Sequence, residues 1–150
     1  IDVGELIAEV YRDLVRYKYL MGLEQVDIHK NNIPSDIPEI ICSNLPLLLK
    51  LYYYLLRLVI QYSKHGIIEI GLNKHKGKNL LFYFRYTFSA EDQDKEDLLA
   101  ARQLDSNGSN KNQIVLAKQI VNEIADKLHT KIHSEKKGGN ELVYTFQFTI

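Results

Sequence analysis

Residues Asn44 to Gly66, NLPLLLKLYYYLLRLVIQYSKHG, are the longest apolar stretch of the chain and restrict it most. Leu48, Leu51, Leu55, Leu58 and Val59 recur at the three- and four-residue steps of a helix face, and Leu47, Tyr54 and Ile60 widen that face. The spacing predicts one long helix with most of its surface buried. Asn44 or Ser43 suits its cap, Pro46 fits the first turn where a missing N–H costs nothing, and Gly66 is expected as the left-handed residue at its end. Lys64 and His65 stand where cations suit the helix dipole. With Lys50 and Arg57 inside it, the run is too short and too charged for a membrane span of about 20 apolar residues.

A core helix of this size needs a domain around it, and 150 residues suffice, since a chain of that length buries roughly 70% of its unfolded surface. Charged residues at 25% and hydrophobic ones at 45% describe an ordinary globular protein. The 19 basic and 19 acidic residues cancel, which argues against general nucleic-acid binding, where a basic excess is usual. The single cysteine, Cys42, excludes an internal disulfide framework and fits a reducing compartment. The opening IDVGELIAEV carries acidic residues where a signal peptide would carry basic ones. It lacks methionine, so residues 1–150 are expected to be one domain cut from a longer multidomain protein.

The other elements follow from changes of period. Val3, Leu6, Ile7, Val10, Leu14 and Tyr17 predict an amphipathic helix from residue 2 to about 20, ended by Gly22. Glu24 to His29 alternates as a short strand, NNIPSDIPE is a loop, and Ile40 to Cys42 makes at most a short strand. Beyond Gly66, Ile68, Ile70 and Leu72 share one strand face. A turn over residues 73–79 then leads into a second strand over Leu80 to Thr87. Phe88 to Asn112 loses hydrophobic pattern and is expected to be a long polar loop, acidic over Glu91 to Asp97. Gln113 to Leu128 is helical again, and Lys131 to Ser134 with Glu141 to Ile150 brackets the turn KKGGN as a closing hairpin. The fold class is therefore α/β (α+β), a two-layer sandwich with a mixed sheet of about five strands and three helices on one face.

In this order the chain resembles the catalytic, ATP-binding domain of sensor histidine kinases, the Bergerat ATPase fold shared with gyrase, chaperone and mismatch-repair ATPases. IDVGELIAEVYRDL looks like the segment after the dimerisation hairpin of such kinases, and IPSDIPEI like their approach to the long helix. LLRLVIQYSKHGIIEIGL looks like the leucine-rich helix and first hairpin strand, LAKQIVNEI like the helix after the glycine-rich lid, and SEKKGGNELVYTFQF like the terminal hairpin. The resemblance implies a bacterial two-component or phosphorelay protein, cytoplasmic or the cytoplasmic part of an inner-membrane protein. Its partners would be neighbouring domains, receiver domains or histidine-phosphotransfer domains, with homodimerisation left to flanking regions and no direct membrane contact.

The residues that carry the family's nucleotide chemistry are replaced. Where an asparagine of the long helix holds Mg²⁺ and phosphates, the aligned residue is Gln61, with Lys64 three positions on. Where an aspartate accepts the adenine amino group, the run is Tyr86, Thr87, Phe88, Ser89 and Ala90. Where the lid has repeated glycines that approach phosphates at a helix N-terminus, the chain has Ser109, Asn110, Lys111, Asn112 and Gln113. Three independent parts of one site are missing. The resulting expectation is a non-catalytic pseudo-ATPase domain without catalytic residues, cofactor or metal, acting through interdomain or protein contacts. The alternative is a divergent histidine kinase that still binds ATP through Gln61, Lys64 and Lys111.

Other constellations read more simply. His129 and His133 have the spacing of a metal pair but no third ligand nearby, and are expected to be exposed polar residues. Tyr52, Tyr53 and Tyr54 point in different directions along a helix, so at least one is core and Tyr53 is the one expected near the surface. Lys50, Arg57 and Lys64 recur every seven residues as a cationic stripe expected to border the nucleotide slot, either solvated or facing an acidic partner.

Overall fold

The computed structural model describes residues 3–31, 44–74, 79–88 and 109–149. Its elements are α1 (Val3–Met21), β1 (Val26–Lys30), α2 (Leu45–Val59), β2 (Gly66–Lys74), β3 (Asn79–Phe88), α3 (Ser109–Lys127), β4 (His133–Lys137) and β5 (Glu141–Thr149). The sheet order is β1-β2-β3-β5-β4; β1 runs parallel to β2 and every other pair is antiparallel. This is the expected α+β sandwich of five mixed strands and three helices. The predicted short strand at residues 40–42, the tip of the first hairpin and the acidic stretch lie outside the described residues.

Register puts one face of the sheet to work. Ile68 pairs with Tyr86, Ile70 with Phe84 and Leu72 with Phe82, and the rows continue into β5 as Leu142, Tyr144 and Phe146. All of these are buried, while the opposite rows carry Glu69, Arg85 and Glu141. Period-two alternation thus sends a continuous aromatic layer toward the helices. On the other face Arg85 stands between Glu69 at 2.6 Å and Glu141 at 3.0 Å, with its guanidinium over the Tyr83 ring.

Helix α2 lies between α1 and α3 and also meets β3, which explains its all-round apolarity. Leu48, Leu51, Tyr52, Leu55, Leu56, Leu58 and Val59 are buried; only Pro46, Lys50 and Arg57 are exposed. The Asn44 side chain accepts from the Leu47 N–H at 3.2 Å, the expected cap. Tyr52 is the core tyrosine of the three, edge-on to Phe146 and tilted against Phe84, while Tyr53 and Tyr54 are half-buried. Gly22, at φ 68, closes α1 with Leu23 N–H donating to Lys18 O and Gly22 N–H to Tyr19 O, a paired geometry that needs the left-handed residue.

Three expectations are corrected. The long helix stops at Val59, not at Gly66. Gln61 N–H donates to Leu58 O and Tyr62 N–H to Val59 O, so the chain tightens into three-residue turns and leaves the helix. Gly66 is consequently the first residue of β2. Helix α3 begins at Ser109, four residues before the predicted Gln113, since small polar residues are tolerated in a first turn whose N–H groups lack helical partners.

The Tyr52 hydroxyl is buried without a hydrogen-bond partner among the described residues, at a cost of about 1–3 kcal/mol. Burial drives its pKa upward and, together with the neighbouring Tyr62 hydroxyl, holds Tyr144 at about 12. Unfolded tyrosines ionise near 10, so the stability these neutral side chains contribute is complete below pH 10. It drains as pH rises toward 12, by about 1.4 kcal/mol per unit for each group. Urea unfolding should show Tyr52→Phe more stable than the parent by about 1 kcal/mol at pH 7, with a shallower loss of stability between pH 10 and pH 12.

Candidate functional site

Six residues, 60–65, connect the end of α2 to β2. The Ser63 side chain is fully buried and closes this connection on itself: its hydroxyl donates to His65 O and accepts from the His65 N–H, each at 3.1 Å. Ser63 O in turn accepts the Tyr86 hydroxyl from β3. Gly66 N–H donates to Gln25 O, which starts the parallel pairing with β1. Glycine is required there for space: a Cβ would stand 2.5 Å from Thr87 O and 2.9 Å from the Tyr86 ring.

Around this lock the aromatic residues stack. Tyr86 and Phe88 are buried with ring centres 5.4 Å apart, and Phe88 continues to Tyr62 at 6.4 Å. The Lys136 ammonium lies 5.9 Å from the Tyr62 ring, and Phe88 N–H donates to Asn140 O at 2.9 Å, tying the end of β3 to the last hairpin. Tyr86 is therefore a core residue whose phenol is committed to a backbone carbonyl. Gln61 is half-buried on the turn and Lys64 is exposed, so both follow the helix instead of lying on it. Lys111 stands in the first turn of α3. The Lys111 side chain lies outside the described ones, and no described contact joins Gln61 to Lys64.

The cationic stripe also differs from expectation. Because the helix ends at Val59, Lys64 does not continue it, and Lys50 lines a groove shared with α1. His129 and His133 are exposed and line an open cleft of about 740 Å³ with Thr130 and Gln147, toward the start of β3 and away from Phe88. His129 takes the left-handed conformation, φ 58, that ends α3. Tyr62 and Lys136 were not singled out by sequence reasoning. Tyr62 is one of ten tyrosines and nothing in its spacing marks it.

No protein-family model and no curated relative matches the sequence. Solved structures do. The catalytic domain of histidine kinase ThkA superposes with a TM-score of 0.62 at 16% identity, covering 99% of this chain and 94% of that one. The cytoplasmic segment of histidine kinase QseC gives 0.60 at 15% identity over 99% and 75%. ThkA in complex with the response regulator TrrA gives 0.62 at 16% identity over 99% and 40%. At these identities the likeness is one of fold, and the fold is that of histidine kinase ATPase domains.

Two substitutions test the lock. Tyr86→Phe strands the buried Ser63 carbonyl and should cost about 1–3 kcal/mol in urea unfolding. Gly66→Ala forces a methyl group against the Thr87 carbonyl and the Tyr86 ring and should cost about 1–3 kcal/mol.

Proposed function

We propose that this domain serves a two-component or phosphorelay protein through contacts with other domains and does not turn over ATP. The observation that carries this reading is the composition of α2. Its helical residues, LPLLLKLYYYLLRLV, include no asparagine, glutamine, aspartate or glutamate. Kinases of this fold hold Mg²⁺ and the phosphates on an asparagine oxygen of that helix, and hard cations require such oxygen ligands. A second observation supports it: Tyr86 and Phe88 occupy the end of β3 from which an aspartate and glycines would take adenine, and both are buried.

The domain reads as residues 1–150 of a longer, cytoplasmic signalling chain. Among the described residues no helix is long and apolar enough to cross a membrane. The ThkA complex with a response regulator makes a receiver domain the natural partner class, in this chain or in another. Nucleotide, metal and catalytic residues have no assigned place in this scheme.

Thermal unfolding with and without Mg·ATP separates this reading from a divergent kinase that uses Gln61, Lys64 and Lys111. A ligand at 100 times its Kd would add about 2.7 kcal/mol to stability. The expected result at millimolar Mg·ATP is an unchanged melting temperature. A rise that disappears in Gln61→Ala and Lys64→Ala would overturn the nucleotide-free reading, and phosphohistidine formation by the full-length protein would then establish the kinase.

A further inference from the structure

Helices α1 and α2 leave between them a groove of about 400 Å³, walled by Asp13, Arg16 and Tyr17 on one side and Leu49, Lys50 and Tyr53 on the other. The Tyr17 and Tyr53 rings touch with centres 4.4 Å apart. Arg16 lies 5.2 Å from the Tyr17 ring and Arg57 lies 5.9 Å from both Tyr53 and Tyr54. Cation and ring thus alternate across the two helices. One turn beyond Arg16 and Tyr17, Leu20 is 74% exposed. Arginine and tyrosine around an apolar side chain form the composition that dominates protein interfaces.

Charge selects the occupant. Arg16 is paired with Asp13 at 2.6 Å, whereas Lys50 and Arg57 have no acidic partner among the described residues. Lys50 and Arg57 are seven residues apart, two helical turns or about 10 Å. Pro46 to Arg57 spans about 16 Å by the same rise, the length of three turns of a partner helix. The balanced charge of the whole chain offers no phosphate track for a nucleic acid.

We infer that the α1–α2 groove docks an amphipathic helix of a partner domain, with carboxylates seven residues apart facing Lys50 and Arg57 and an apolar residue between them set against Leu49 and Tyr53. The groove gives the contact role proposed above its surface and rests on it. Mg·ATP binding would overturn the loss of catalysis without touching the groove, and an empty groove would leave the nucleotide result as it stands.

The direct test is fluorescence anisotropy of a labelled synthetic helix of about 21 residues, long enough to hold its fold, titrated with the whole chain at about 50 mM salt. The peptide carries glutamates seven residues apart flanking leucines. Its counterpart carries lysines at the same places. The glutamate peptide should bind at least about tenfold more tightly than the lysine peptide, and Lys50→Glu with Arg57→Glu should remove that preference, while Lys64→Glu keeps it. The two reversed side chains are exposed, so an unchanged melting temperature shows that the variant is folded. Equal binding of the two peptides, or indifference to the double reversal, overturns the inference. So does tighter, reversal-sensitive binding of a single-stranded oligonucleotide or of anionic vesicles.

Discussion

The short exit from α2 sets the positions of the elements around it. Between Val59 and Gly66 the chain must leave a helix packed on the sheet and enter a strand within that sheet, and it does so in two tight turns closed by the buried Ser63. The Tyr86 hydroxyl on Ser63 O and the contact of Gly66 with Thr87 O hold that exit against β3. A buried carbonyl needs a donor, and here a tyrosine supplies it from the strand whose end faces the exit. The end of β3 is thereby fixed to the exit of α2 by one hydrogen bond.

Behind this lock the domain draws stability from its own packing. The α2 leucines lie over a layer in which Phe82 and Phe146 stack nearly parallel, 5.6 Å apart, and Tyr52 enters edge-on. Aromatic pairs of this kind add about 0.5–1.5 kcal/mol each beyond the area they bury. Phe88 and Tyr62 extend the layer to the end of the sheet where a nucleotide of this fold would lie. Aromatic contacts hold that end of the sheet together.

Much of this was legible in the sequence because period is a local property. The three-and-four spacing around Leu51 and Leu55, the alternation from Ile68 to Leu72 and from Leu142 to Phe146, and Gly22 and Asn44 as helix ends all reflect residues acting on near neighbours. The end of α2 was not legible, since Ile60 to His65 contains no glycine or proline to stop a helix; the strand that Gly66 must join decides the matter. Gly66 itself was read as a helix terminus, because its neighbours Tyr86 and Thr87 lie twenty or more positions away in the chain. The grouping of Tyr17, Tyr53 and Arg57 was hidden for the same reason.

Aromatic-side-chain NMR on the whole chain tests most directly whether the nucleotide slot is filled. Tyr62, Tyr86 and Phe88 are packed on one another, so their ring resonances should be unmoved by Mg·ATP at millimolar concentration, with the Tyr86 hydroxyl proton still protected from exchange. Saturable shifts of those three rings, with loss of that protection, would mean that the aromatic cluster opens to admit nucleotide and would contradict the account.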